Sequence, residues 1–485
     1  MIDIILLGAT GYTGRLCASY MAQVLPENIS WAIAGRNKSK LQLLHKELGL
    51  EEPKCTVYAL DLASDEAISE LVKTSRVIIN AIGPYATTCG TAVIRACAEN
   101  GTDYVDCGEP AWMRDIIAQY DTTARNSGSR IIMTTGWAAV PADLSVYLAA
   151  LKLQRHFSLP TREVLVCLDD VRGSFSGGSL SSLCSLEPVD IAPFDLSPVP
   201  RTDQQVAKNG VLPPPNALDV QFVDELGVLV ESTHSQIETT VIGRSWGLHA
   251  GHGSDFLSPE GYGENFFFSS RMKCSNALSA LMFRTSLSLL TNAITKIPPI
   301  RYLATRMFPP GTGPSEEARR GHYFKYRTLA IADDKGTGPV PKVEVKFAYD
   351  GDPYVFTGVA LTQAVLVLLQ GNIPAHRQGG ILTPATLGEE FVARLKRPEA
   401  GVKIEVEVLG YQNAINTYIN APGSLPQYRS RIHPPLPPAH HEQVALSALA
   451  TPDPALIPAI AQRPILQCSH RDDSFPRGAN PKVQQ

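Results

Sequence analysis

The sequence lacks any Cys-x-x-Cys pair. Its nine cysteines are scattered and odd in number, which argues against a disulfide framework or a zinc ribbon and suits a reducing compartment. Strong charge is missing as well: a formal net charge of -4 over 485 residues leaves no global field to gather nucleic acid or an acidic membrane. His249 and His252 lie three apart in a glycine-rich stretch and His440 and His441 in a proline-rich one, so all four read as loop or surface residues and no metal site is expected. The opening apolar run, Ile2 to Leu7, is too short for a signal-peptide core and has no basic lead. A longer one, 276–297, is broken by Arg284, Asn292 and Lys296; it is a poor membrane span and reads as a buried or interfacial helix, with packing in the core the first expectation. Three catalytic grammars are also absent. None of the sixteen tyrosines has Lys four residues on, no Gly-x-Ser-x-Gly elbow occurs, and no Walker lysine follows the early glycines.

What is present is the composition of a globular chain, 44% hydrophobic and 19% charged, long enough for two or three domains. The first 150 residues repeat a unit of short apolar strand, turn and amphipathic helix. Strands are expected at "IDIILL", "SWAIAGR", "CTVYALDL", "RVIINAIGPY", "DYVDCGE" and "RIIMTTG", with Asn37 and Ser64 as helix N-caps and Gly101 and Gly128 as helix ends. Strands alternating with helices pair in parallel, because each crossover helix must cover a face of the sheet. The fold class read here is α/β: an N-terminal Rossmann-type, doubly wound parallel sheet over 1–150, a second α+β domain over 151–420, and a tail over 421–485. In the second domain "EVLVCLDDV", "QIETTVIG", "HYFKYRTLAIA" and "KVEVKFAYD" read as strands, and 357–369 and 384–395 as helices. Because 12 of the 37 prolines fall beyond residue 420, the tail is expected to be disordered.

A doubly wound sheet binds ligands beyond the carboxyl ends of its strands. Gly8, Gly11, Gly14, Arg36, Asp61, Gly83 to Tyr85, and Asp106 to Glu109 all fall on that edge. Strand, glycine turn and helix in that order form a phosphate cradle, in which backbone N–H groups approach a pyrophosphate at a helix N-terminus. Gly35 and Arg36 stand where an NAD-specific site carries an acidic residue, and Lys38 and Lys40 follow, so NADP(H) is the expected cofactor. With metal and Tyr-Lys routes missing, hydride transfer is the chemistry left. It needs one charge-stabilising donor, for which Tyr85, Tyr104, Asp106, Glu109 and Asp143 are candidates. Tyr85 and Glu109 follow strand ends and are the pair chosen as catalytic; Tyr85 packing after Gly83-Pro84 and Glu109 capping the next helix are the structural alternatives.

The stretches "GATGYTGR", "WAIAGRNKSKL", "NAIGPY", "YVDCGE", "VPADLS", "GTGPSEEARR" and "GGILTPATLGEEFVARL" together resemble the saccharopine dehydrogenase-like oxidoreductases, in the branch of trans-acting enoyl reductases, over roughly 2–410. The resemblance implies a Rossmann domain with a second α+β domain, and cofactor contacts from Gly8, Thr10, Gly11, Tyr12, Thr13 and Gly14, with Asn80, Gly83 and Pro84 beneath the nicotinamide half. "GWAAVPADLS" departs from the family pattern: Ala138 and Ala139 stand where Asp and Ser are expected, which makes the neighbourhood more apolar. The function read from all this is NADP(H)-dependent reduction of the double bond of an enoyl, polyketide or lipid acyl chain in trans. The alternatives are an amino-acid or imine dehydrogenase and a non-catalytic dinucleotide-binding sensor. Expected partners are an apolar acyl substrate, delivered by a synthase or carrier protein, and a second copy as a homodimer; no nucleic acid and no transmembrane span are expected. The expected location is cytoplasmic, with peripheral contact to lipid surfaces.

Overall fold

The computed structural model describes residues 1–108, 110–174, 176–180, 191–200, 211–249, 262–309, 311–371 and 379–409. Glu109 and the 421–485 tail lie outside the described residues. Six βα units open the chain: β1 Ile2–Leu7, α1 Tyr12–Val24, β2 Trp31–Gly35, α2 Lys38–Glu47, β3 Cys55–Ala59, α3 Asp65–Lys73, β4 Ser75–Asn80, α4 Gly90–Asn100, β5 Asp103–Asp106, α5 Pro110–Ser127, β6 Arg130–Ile132 and α6 Val140–Phe157. The side chains of Asn37 and Ser64 accept the backbone N–H groups of Lys40 and Ala67, and Gly101 ends α4 in the left-handed conformation. All pairs in the first sheet are parallel. Residues 4–7 and the whole of β2 are buried, as strands covered on both faces must be.

The sheet has seven strands, and the seventh, β13 Gly380–Leu382, comes from far along the chain to pair with β6. Ahead of it in sequence, and after the one-turn α10 Glu316–Arg319, α11 Pro353–Gln370 packs on α1, β4 and β5. This helix is apolar almost all round because it is buried almost all round. Gly358 makes its crossing with α1 possible, since a Cβ there would stand 3.0 Å from the Cys17 backbone. After β13, α12 Gly388–Leu395 also packs on α11. Residues 353–395 therefore finish the covering of the first sheet.

The second sheet is mixed, in the order β14-β12-β11-β7-β10-β9-β8. Its strands are β7 Thr161–Arg172, β8 Gln221–Val223, β9 Gly227–Glu231, β10 Phe267–Cys274, β11 Tyr323–Ala332, β12 Lys342–Tyr349 and β14 Val402–Leu409; only β7 and β10 pair in parallel. Helix α6 leaves the first sheet at β6 and lies against β7, β11 and β12 of the second, so one apolar cluster runs through both.

Two sequence expectations are corrected. "QIETTVIG" is not a strand: it opens α7, Ser235–His249. This helix is buried on nearly every side, so it shows no polar stripe, and its β-branched residues imitate a strand. Tertiary packing decides the matter. A Cβ on Gly243 would stand 2.7 Å from Phe194 N and one on Gly247 2.0 Å from Ser197 Oγ, while buried Arg244 donates to the carbonyls of Leu196 and Ile381 and to Asp121. The segment 276–297 is indeed a helix, α8 Ala277–Lys296, but it is not packed in the core, because of its residues only Ala280 and Ile294 are buried.

Candidate functional site

The three glycines of the first turn have three different surroundings. At Gly8 (φ +80°) a Cβ would meet Ile82 at 2.6 Å, and at Gly14 it would meet the Gly8 carbonyl oxygen at 2.1 Å. The first is thus required by the turn and the second by the close approach of α1 to it. Gly11 is different. Its φ is an ordinary -72°, and a Cβ would touch only the Gly8 oxygen, at 3.2 Å. Beyond that oxygen the position is open, and no side chain caps the N-terminus of α1. Uncapped N–H groups at a helix start beside an unfilled glycine fit a pyrophosphate. Thr10, Tyr12 and Thr13 are half-buried around this cradle. The Tyr12 hydroxyl donates to the Pro314 carbonyl (3.0 Å), and its ring leaves no room for a Cβ on Gly313, so the 311–315 loop of the second domain closes over the turn.

Register aligns the rest of the edge. Ala34, Leu7, Asn80 and Asp106 are successive partners across β2, β1, β4 and β5, so the loops after those strands start side by side. Arg36 leaves β2 exposed, with Lys38 and Lys40 also exposed beside it. Asn80 is buried: its amide donates to the Tyr104 hydroxyl (3.1 Å) and its carbonyl oxygen accepts Ile82 N–H. Tyr104 in turn donates to Asp106 Oδ2 (2.9 Å), and Asp106 Oδ1 accepts the N–H groups of Gly108 and Thr134. One buried carboxylate thereby ties together the ends of β4, β5 and β6.

Tyr85 is buried at the same edge. Its hydroxyl donates to the Asn80 backbone carbonyl (3.0 Å) and lies 3.2 Å from Cys107 Sγ, while its ring stacks on Trp112 at 5.2 Å. Gly83 and Pro84 lead into it, and a Cβ on Gly83 would meet its ring at 3.6 Å. Asp61 turns back to cap its own loop through Ala63 N–H.

Beyond β6 the chain carries a residue type that rarely takes its backbone conformation. Thr134, β-branched, has φ +58° and is held there by Asp106, which takes its N–H, and by Thr135 N–H on the Asp106 carbonyl. The turn delivers Trp137, half-buried, against His234 from the second domain, ring centroids 4.4 Å apart. Thr134 Oγ1, Trp137 Nε1 and His234 Nδ1 are all buried with no hydrogen-bond partner, and burial holds His234 neutral with its pKa down to about 4. Ala138 and Ala139 follow, Ala139 buried in the core at the N-cap of α6. The sequence marked the "GWAAVPADLS" segment but gave no hint of His234, which arrives from the turn just before α7.

Asp143, a sequence candidate, lies elsewhere, in the first turn of α6. Its Oδ2 accepts Ala385 N–H (2.8 Å) and its Oδ1 has no partner, so burial drives its pKa up to about 7. A further buried pair, His322 Nδ1 and Asp352 Oδ2 at 2.7 Å, joins the start of β11 to the N-cap of α11; the sequence gave no signal for it. No group of three or more metal-ligating side chains occurs among the described residues.

A doubly wound sheet with an open glycine cradle and basic residues after its second strand defines a dinucleotide-binding oxidoreductase of the Rossmann class. Residues 4–132 match the family model described as saccharopine dehydrogenase NADP binding domain. Over 429 residues the chain is 28% identical to the trans-acting enoyl reductase of Mycobacterium ulcerans, covering 83% of this chain and 97% of that one. It is 29% identical over 429 residues to the trans-acting enoyl reductase of Mycobacterium bovis, covering 82% and 96%. Among solved structures, apo saccharopine dehydrogenase from Saccharomyces cerevisiae aligns over 84% of this chain and 100% of that one, with 13% identity and a TM-score of 0.47. Residues 4–132 are an NADP(H)-binding domain, and the chain is an NADP(H)-dependent oxidoreductase similar to the saccharopine dehydrogenase-like proteins.

The open side of Gly11 sets the first expectation. Gly11→Val should keep the fold, because its backbone is unstrained, yet lose the thermal stabilisation that NADPH gives the wild type; equal stabilisation would reduce the motif to a turn. Arg36→Ala should weaken NADPH far more than NADH, by about 1–3 kcal/mol if the guanidinium pairs with the 2′-phosphate, as measured by titration calorimetry. Asp143 has a raised folded-state pKa, so between about pH 4 and 7 the folded chain holds a proton that the unfolded chain releases. Stability therefore falls as pH rises through that window, and urea denaturation of Asp143→Asn should show a flatter pH dependence than the wild type.

Proposed function

We propose that the enzyme reduces the α,β double bond of an enoyl thioester carried by a synthase or carrier protein. The observation that carries this reading is the segment after β6, where Trp137, Ala138 and Ala139 are apolar and Thr134 Oγ1, Trp137 Nε1 and His234 Nδ1 are buried with no hydrogen-bond partner. Such surroundings suit a hydrocarbon chain with one oxygen better than a zwitterionic amino acid. The names of the relatives point the same way, and the class of cofactor suits reductive use.

NADPH, when bound, supplies the hydride. The protein's contribution is to hold it and the substrate. Gly8, Thr10, Gly11, Tyr12, Thr13 and Gly14 take the pyrophosphate, Arg36 takes the 2′-phosphate, and Asn80, Gly83 and Pro84 form the floor of the nicotinamide half. Tyr85 and Glu109 are the candidate polar groups at the reacting end. The donation of Tyr85 to the Asn80 carbonyl favours a positioning part for its hydroxyl, holding the end of β4 level with β5. An enolate oxygen needs only one placed donor. The homodimer, a cytoplasmic setting consistent with free cysteines, and peripheral contact with lipid belong to the same proposal.

NADPH oxidation should be measured with carrier-bound enoyl chains of increasing length, with saccharopine as the competing substrate. Enoyl turnover is expected, rising with chain length. Tyr85→Phe should lower kcat by less than about tenfold, a positioning effect, whereas Glu109→Gln should cost about 10²-fold if that carboxyl moves a proton. Turnover of the amino acid alone would reverse the assignment, and turnover of neither would make the chain a dinucleotide sensor.

A further inference from the structure

Helix α8 and the helix that follows it, α9 Pro298–Met307, meet at Ile297, which ends one and starts the other. They pack on each other, and α8 also touches β9 and β10. The inner face is thin. Ala280 joins Val220 and Val230, Phe283 lies partly buried beside them, and Arg284 donates to the Leu218 carbonyl (2.7 Å) with Asp219 at 3.6 Å. The outer face is apolar and exposed: Leu278 is 67% accessible, Met282 62%, Leu289 67%, Leu303 57% and Met307 64%, and Leu281, Leu290, Ile300 and Phe308 are exposed with them. A surface helix ordinarily turns its polar residues outward. Here the outward positions carry the leucines and methionines, a continuous patch of the kind that marks an interaction surface.

Charge identifies the occupant. Between residues 265 and 315 the sequence has no Asp or Glu, while the hairpin carries Arg284, Lys296, Arg301 and Arg306, in a chain of net charge -4. Lys296 and Arg306 are exposed beside the apolar residues. We propose that the α8–α9 hairpin docks flat on an anionic lipid surface, with its leucines and methionines in the acyl boundary and its cations among the headgroups. A second copy fits less well: a two-fold contact through this patch would set the same cations against each other with no acid between them. The chain beyond residue 409 is no better an electrostatic partner, with six Lys and Arg against four Asp and Glu. Spanning is disfavoured too. Although α8 has 20 residues, crossing would pull Arg284 from Asp219 into hydrocarbon and strip the inner face from β9 and β10. The inference stands apart from the enoyl chemistry, because it is read without turnover.

The test is flotation of the full-length protein with vesicles of phosphatidylcholine alone or with about 30% phosphatidylglycerol, a composition that gives a negative surface potential. The wild type should float with the anionic vesicles and about tenfold less with the neutral ones. Leu278→Ser combined with Leu289→Ser should abolish flotation, and Lys296→Glu combined with Arg306→Glu should lower it about tenfold or more, with stabilisation by NADPH unchanged in all of them. A wild type left in solution with anionic vesicles overturns the proposal. So does an apolar double variant that floats normally, or light scattering that shows a dimer lost in that variant when no vesicle binding occurs.

Discussion

The Asp106 carboxylate is the constraint on which the functional edge depends. It is buried and accepts hydrogen bonds from the Tyr104 hydroxyl and the N–H groups of Gly108 and Thr134. Each of those donors would cost roughly 1–3 kcal/mol to leave unsatisfied in the interior. The strand ends are therefore held at fixed heights. Asn80, bound to Tyr104, is set level with Leu7 and so with the start of the glycine turn, and Thr134 is kept in a backbone region that its branched side chain disfavours.

Much of this was legible before any coordinates. The βα units of the first domain announce themselves through N-caps, apolar strands and terminal glycines, all of them local signals. The cradle was legible for the same reason, since Gly8, Gly11 and Gly14 sit within seven residues. What could not be read was whatever depends on two distant segments meeting. His234 reaches Trp137 across roughly a hundred residues, His322 reaches Asp352 across thirty, and Asp143 is controlled by Ala385. Helix α7 failed for a related reason: amphipathic periodicity reports one wet face and one dry, and a helix between two sheets has no wet face. Helix α8 failed in reverse, because its apolar pattern says that the residues avoid water without saying what covers them.

Burial also sets the protonation pattern of the second domain. Glu238 on α7 takes hydrogen bonds from the Tyr326 hydroxyl, Ser232 and Ser270, yet desolvation outweighs them and raises its pKa to about 7. His249 on the same helix is driven the other way, to about 4. Both shifts favour the neutral form, as expected where α7 lies between the sheets and the dielectric is low. The helix thus carries polar side chains with less charge than their types ordinarily bring, apart from Arg244, whose guanidinium is satisfied by carbonyls and Asp121.

The seventh strand of the first sheet has a consequence for how the chain is made. A ribosome that has released β1 to β6 and their helices has produced a sheet whose β6 edge still lacks β13, and whose layer over α1, β4 and β5 still lacks α11. More than two hundred residues, including nearly all of the second sheet, must emerge before 353–382 can close both gaps. At typical synthesis rates that interval is on the order of ten seconds or more. During it the nascent domain exposes an unpaired strand edge and an apolar helical seam, the two features most prone to wrong partners. The dinucleotide cradle is written in the first fourteen residues of the chain, but the domain that holds it is finished only by residues 353–382.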